Sequence, residues 1–231
     1  MTTQSVRCAI SVAIILSLVA TAESASAQVL RVRPDLRLFS VFAFLNAAGY
    51  NTEYGHAMDT IRILVRKSLD DLDPILLNEM KTFYKSHQDV DWIAYRVYSL
   101  MLSNPPDFHL APKYVGDEYA RQLNRELAGF STLLSEFYRE ACIDSLYSQL
   151  LPTYEKGIDT VRKQIGGEVD TMWNYLRITR KNRPKRKIVV IPNLLNSYYL
   201  FTQFDDSASN VLNIFCGSPS SNSPIVGGGS A

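Results

Sequence analysis

Two acidic side chains one helical turn apart, Glu136 and Glu140, stand with Arg139 in a stretch of helical apolar period. A carboxylate pair bridged by a guanidinium is an arrangement that acid–base chemistry can use, because the cation sets which carboxyl stays ionised. The same spacing serves an ordinary ion pair on a solvated helix face, and that use is several times commoner. His56 and Asp59, in Tyr-Gly-His-Ala-Met-Asp, meet across one turn only if a helix already includes both; otherwise His56 is a surface side chain at a helix N-terminus. His87 and His109 fall in loop-like stretches, where surface placement is expected. None of the three histidines belongs to an HExxH helix, in which two imidazoles ligate zinc and the glutamate between them works on a bound water.

Other nucleophile and phosphate patterns are missing from the sequence. No GxSxG elbow is present to aim a serine, and Gly217-Ser218-Pro219 is a turn after a strand. Gly227-Gly228-Gly229 lies in a Ser/Pro-rich tail and reads as a flexible segment rather than a phosphate cradle. The stretch from Arg177 to Lys187 carries seven basic residues without interleaved aromatics, which favours a solvated linker over a nucleic-acid surface. Across the chain, 24 basic against 23 acidic side chains leave a formal charge of +1, so no global field draws it to nucleic acid or a membrane surface.

The first 27 residues have the pattern of a secretory leader. Arg7 supplies a positive start, Cys8 to Ala22 an apolar core, and Ala25-Ser26-Ala27 a small-residue cleavage site before Gln28. The rival, a membrane anchor, needs about 18 uninterrupted apolar residues, and this run stops at Glu23. The expected address is therefore secreted or periplasmic, with no stable membrane anchor once the leader is cut. Cleavage removes one base and one acid, Arg7 and Glu23, and leaves the charge unchanged. Cys142 and Cys216 survive in a compartment where disulfides persist, and a bridge closing so long a loop would contribute roughly 4 kcal/mol in the chain-entropy model. Two buried thiols are the equal alternative. Without a CxxC pair or a companion histidine the cysteines make no metal site.

A length of 231 residues with 46% hydrophobic and 20% charged side chains suits one ordinary domain or two small ones. It excludes a wholly disordered chain, a fibrous repeat and a disulfide miniprotein. After a short strand signature at Leu30 to Arg33, Leu36 to Ala48 is apolar on nearly every face and stops at Gly49, as a central buried helix does. Met58, Ile61, Leu64, Val65 and Leu69 mark a second helix. Asp73 before Pro74 opens a third, and Asp89 or Asp91 a fourth, giving a packed bundle. Residues 105–116, with three prolines, form a crossing loop; helix resumes at Asp117 with a joint at Gly129. Pro152 predicts a kink or restart, and Gly166-Gly167 an end, in the helix that follows. Ile188 to Ile191, Tyr198 to Phe204 and Val211 to Cys216 are strand candidates. The expectation is an α+β fold: a leader at 1–27, a helical lobe at 28–176, a basic linker at 177–187, a small, mostly antiparallel sheet at 188–217, and a flexible tail at 218–231.

Three stretches carry a family likeness: Phe42-Ala43-Phe44-Leu45-Asn46-Ala47-Ala48-Gly49-Tyr50, Leu134-Ser135-Glu136-Phe137-Tyr138-Arg139-Glu140, and Ile188-Val189-Val190-Ile191-Pro192-Asn193-Leu194-Leu195. In their order the chain resembles bacterial secreted, zincin-like proteins, over most of residues 36–217. The resemblance implies a helical region leading into a few strands, then an HExxH helix, zinc, and a peptide or protein substrate laid along the sheet by strand addition. The sequence ends at Ala231 without HExxH, so the zinc ligands have no counterparts here, and zinc enters only if a longer protein supplies that helix. The expectation is the cleft-building portion of a metallopeptidase-like protein, inactive as it stands, which would expose the apolar sheet face its missing lobe covers. The alternative is a non-catalytic extracytoplasmic binding or structural module.

Overall fold

The computed structural model describes residues 30–50, 60–175, 187–193, 195, 202–207 and 211–217. The leader, His56, Asp59, linker residues 177–186 and the tail lie outside the described residues.

The chain enters through a short strand, β1 (Leu30–Val32), and turns at Pro34 into α1 (Leu36–Ala48). Asp35 sets the start of that helix, its carboxylate accepting the backbone N–H groups of Arg37 at 3.0 Å and Leu38 at 3.4 Å. Nearly all of α1 is buried, including Phe39, Phe42 and Phe44, which is why its sequence shows no polar face. It ends at Gly49, whose φ of 108° is left-handed backbone that a glycine adopts without strain. α2 (Thr60–Ser68), α3 (Pro74–Ser86) and α4 (Trp92–Met101) pack around it. Asp73 and Asp91 cap the last two, accepting the N–H of Ile75 at 2.9 Å and of Ile93 at 3.0 Å.

The crossing loop holds a 3-10 turn at Pro112–Tyr114 and delivers the chain to α5 (Glu118–Glu126), α6 (Phe130–Glu140) and α7 (Ile143–Tyr175). Gly129, with φ of 87°, is the joint between α5 and α6. Phe44 at the centre meets Phe83, Phe130 and Phe137 edge-on, with ring centroids 6.4, 5.1 and 5.6 Å away. Such geometry adds about 0.5–1.5 kcal/mol per pair beyond burial.

In α7 the end expected at Gly166-Gly167 is corrected, and of the kink or restart expected at Pro152 the restart does not occur. The helix runs through Pro152 and through Gly166-Gly167 without a break. Pro152 and Ser148 are both exposed, so the carbonyl that loses its partner can be hydrated. The stripe Leu146, Leu150, Tyr154 and Ile158 stays buried across the proline and holds both halves against the core. Interior glycines cost only about 1 kcal/mol each, too little to end a helix unaided.

The strands β2 (Lys187–Asn193), β3 (Thr202–Asp206) and β4 (Val211–Gly217) join β1 in one sheet of order β1-β2-β4-β3. The α+β arrangement, a helical lobe followed by a small late sheet, is as expected. The pairing is not: β1–β2 and β2–β4 are parallel, and only β3–β4 is antiparallel. The reason is non-local. β1 comes from before the lobe, so the lobe itself is the long crossover that a parallel pair needs, and β3 lies outside β4 rather than between β2 and β4. The buried β2 run Val189-Val190-Ile191 suits a parallel centre covered on both faces.

The expected bare sheet face is not found among the described residues. Val189, Val190, Ile191 and Phe215 are at most 4% exposed, and the large exposed apolar side chains, such as Ile63, Leu64, Ile75 and Val115, lie off the strands. α4 supplies part of the cover: the guanidinium of Arg96 lies over the rings of Trp92 and Phe215.

Candidate functional site

Arg31 of β1 and Arg33, one residue past the strand's end with its N–H still donating to the Val190 carbonyl at 3.0 Å, line one cleft, as alternation along an extended segment allows. The parallel register carries the Arg31 face across the sheet, aligning Arg31 with Val189 and Val189 with Asn213. The next row aligns Lys187 with Val211 and Val211 with Asp206. These side chains floor a cleft of about 240 Å³. Its opposite wall comes from the helical lobe: Leu100 on α4, Lys113 and Tyr114 of the 3-10 turn, and Asp35 with Arg37 at the start of α1.

Arg37 braces that wall. Its Nε and Nη2 donate to the two oxygens of Asp35 at 3.0 and 2.7 Å, while Nη1 donates to the carbonyls of Leu100 and Leu102, both at 3.0 Å. Burial works against the Arg37 charge, but the hydrogen bond and charge of Asp35 more than offset it, and its pKa is raised. The cap of α1 is thereby tied to the C-terminal end of α4.

On the sheet side Asp206 plays the matching part. Lys113 Nζ lies 2.8 Å from Asp206 Oδ2, and the Asp206 side chain is only 6% exposed. Tyr114 sits beside them, with the Lys113 ammonium 4.5 Å from its ring centre. Burial first, then the hydrogen bond to Asp206 and that residue's charge, raise the Tyr114 pKa, so its hydroxyl stays protonated as a donor. The pair ties the crossing loop to β3.

Five cations and two carboxylates thus line the cleft. Each carboxylate already holds a cation: Asp35 holds Arg37, and Asp206 holds Lys113. Among the described residues no carboxylate forms an ion pair with Arg31, Arg33 or Lys187, and all three are exposed. The excess of positive charge sits in a concave site, where low-dielectric walls focus its field.

The residues singled out in the sequence lie elsewhere. Glu136 and Arg139 line a separate shallow groove of about 440 Å³ with Asp107, His109, Thr132 and Ser135, and Glu140 is exposed on the same helix. Arg139 does not bridge the two glutamates; its described partner is Asp107, at 3.7 Å between two exposed groups. Ser135 Oγ donates to backbone carbonyls, 2.7 Å from Ser131 O and 2.9 Å from Asp107 O, and so is spent on holding the loop. A solvated ion-pair face describes this helix. Cys142 is an exposed, free thiol, so the bridge to Cys216 considered from the sequence is not formed; for Cys216 only the backbone position in β4 is described.

No group of three His, Cys, Asp or Glu among the described residues is placed to hold a metal ion. Among the described residues, no helix is long and apolar enough to cross a membrane.

Two more arginines are buried, but in the framework. Arg62 donates to Asn46 Oδ1 at 2.8 Å and to the Tyr50 carbonyl at 3.1 Å, while Asn46 Nδ2 donates to the carbonyls of Phe42 and Leu195. That network fastens the end of α1 to the segment after β2. Arg96 packs between aromatic rings.

Sequence reasoning missed the cleft because its residues are scattered from Arg31 to Asn213. One signal was present: Arg31 and Arg33 alternate with apolar residues in a strand that needed a partner. The chain matches no protein-family model, no curated protein and no solved structure.

Proposed function

We propose that the chain is a non-catalytic extracytoplasmic binding module whose ligand enters the cleft between the sheet and the α4 wall. The observation that carries this reading is the bracing of that cleft from both sides. Arg37 fixes the helical wall and the Lys113–Asp206 pair fixes the sheet edge, so polar contacts hold open a gap that apolar packing closes farther along the same sheet face. A preformed, partly polar concavity is the usual form of a small-ligand site. The leader pattern of residues 1–27 supports the extracytoplasmic address.

The test is thermal denaturation of the purified chain with citrate, inorganic phosphate, glycine and glucose, repeated with Val211→Trp. Val211 is half-buried at the first position of β4, and a tryptophan there fills the cleft while keeping a strand-forming side chain. At least one probe should raise the melting temperature of the native chain and leave the filled variant unmoved. Stabilisation by none of them, or equally in both proteins, would overturn the reading.

A second reading keeps the likeness to zincin-like proteins and is favoured by the place of β3. Among the described strands β3 is one of the two edges, antiparallel to β4, a position from which an extended peptide could add as a further strand. On this reading the chain builds part of a peptide cleft, and zinc would come with an HExxH helix in a longer protein. Hydrogen exchange across Thr202–Asp206 separates the two: an unstructured peptide in excess should slow exchange there, and unchanged rates would remove this reading.

A further inference from the structure

We infer that the ligand of the cleft is a small polyanion, a solute presenting two or more carboxylate or phosphate groups and no ammonium group. The inference rests on the reading of the cleft as a binding site and names what it takes. Three observations carry it.

The first is the count of cations against carboxylates. Arg31, Arg33 and Lys187 have no acidic partner among the described residues, and all face the gap that Arg37 and Lys113 also line. Like charges gathered in a concave site repel one another, and a ligand carrying a single negative charge relieves only part of that repulsion.

The second is the state of the two acids. Asp35 accepts four hydrogen bonds, two from the Arg37 side chain and two from backbone N–H groups. Asp206 accepts from Lys113 and holds the Tyr114 hydroxyl. A zwitterionic or cationic ligand would need a carboxylate to receive its ammonium group, and both carboxylates are spent on protein cations. An anion meets no such deficit.

The third is the kind of cation on the open side. Arg31 lies in β1 and Arg33 one residue past its end, where the Arg33 N–H still donates to the Val190 carbonyl at 3.0 Å, and both side chains line the same cleft. Guanidinium forks match the paired oxygens of carboxylate and phosphate, and two forks in a row suit a ligand with two such groups. Lys187, across the β1–β2 pair, adds a point charge.

The experiment is titration calorimetry of the full chain with citrate, inorganic phosphate, glycine and glucose, on the native protein and on Arg31→Ala/Arg33→Ala, Lys187→Ala and Val211→Trp. All four positions are at strand starts or in exposed side chains, and the melting temperature of each variant without probe reports that it folds. Citrate should bind the native chain more tightly than phosphate, which offers a single group, weaken as salt rises, and lose about tenfold or more in affinity in the double variant, the loss of one or two charge-assisted contacts. Lys187→Ala, which leaves both guanidinium groups, should lose less. Phosphate binding as tightly as citrate would overturn the requirement for two or more anionic groups. Should either anion bind equally well to the double variant and to Lys187→Ala, the polyanion inference is overturned. Should glycine or glucose alone bind, and Val211→Trp abolish it, the cleft stands as a site and its proposed ligand class falls. Binding of none of the four overturns both.

Discussion

The guanidinium of Arg96 on α4 stands 5.5 Å from the ring centre of Phe215 on β4, and both residues are fully buried. This contact joins the helical lobe to the sheet one row along from Asn213 of the cleft floor, so its loss should be felt as lost coupling between the two parts. Phe215→Ala should cost about 3–5 kcal/mol of stability, as truncation of a fully buried ring does. Arg96→Met, which keeps much of the volume without the charge, should cost less than Arg96→Ala. A double-mutant cycle in urea should return a coupling of about 1–2 kcal/mol between the two sites. Additive effects would mean that the ring and the cation share a neighbourhood without sharing energy.

Arg37 offers a cleaner separation of charge from geometry. Its guanidinium reaches Asp35, Leu100 O and Leu102 O at once, a span that one ammonium group cannot reproduce. Arg37→Lys should therefore destabilise by about 1–3 kcal/mol although the charge is kept, and Arg37→Met by more, because two carbonyls and a carboxylate then lose their donor. Chemical denaturation of the two variants measures this. A lysine variant as stable as the native chain would mean that the brace is electrostatic only.

The buried tyrosines set the alkaline limit. Burial pushes the Tyr98 hydroxyl from its ordinary value near 10 up to about 12, and burial with the nearby Asp35 charge does the same for Tyr147. The native state therefore holds these protons more tightly than the unfolded chain. Their contribution is fully present below about pH 10 and is lost as pH rises from 10 through 12. Stability should fall across that window, and the tyrosinate absorbance of these side chains should rise together with unfolding rather than before it. Tyr98→Phe gives up the 2.7 Å bond to Asn124 Oδ1 but should also flatten the fall. A full set of tyrosines titrating near pH 10 in a protein that stays folded would contradict the assignment.

Cys142 sits in the turn between α6 and α7 with φ of 47°, exposed and free. An accessible thiol reacts in the native state, so a thiol reagent should label Cys142 without denaturant, and a non-reducing digest should recover its peptide unlinked to that of Cys216. A Cys142–Cys216 cross-linked peptide would restore the disulfide considered from the sequence.

The helices were legible because their signals are local. Asp73 before Pro74, Asp91, Asp117 and Gly49 each act within one turn of where they stand, and each caps the helix its spacing predicts. The sheet was half legible. The β-branched run of β2 marks a strand, but nothing local says that its neighbours are β1, from before the lobe, and β4 rather than β3. The cleft was not legible for the same reason, since Arg31 meets Val189 and Asn213 only through that order. Arg139 shows the converse error. The near glutamates were visible in the sequence, while its described partner, Asp107, comes from the crossing loop.

Pro152 tests how far a single local rule yields to packing. Within α7 the proline removes one intrahelical donor, and its ring crowds the preceding turn, a penalty of about 3 kcal/mol in an isolated helix. The helix continues because Leu146, Leu150, Tyr154 and Ile158 are buried on one stripe spanning the site, while Pro152 itself faces solvent. If packing overrides a standing penalty, removing the penalty should leave the structure unchanged and raise its stability. Pro152→Ala restores the N–H that can donate to the Ser148 carbonyl, and should stabilise the protein by about 1–3 kcal/mol with no loss of helix signal in circular dichroism. Ile158→Ala should do the opposite, loosening the helix beyond the proline and costing about 2–4 kcal/mol. The pair discriminates between two accounts of α7. A stabilised alanine variant with a destabilised Ile158→Ala is the signature of one helix held by its stripe. A Pro152→Ala variant that is less stable than the native chain would mean that the proline shapes the helix in a way the buried stripe depends on.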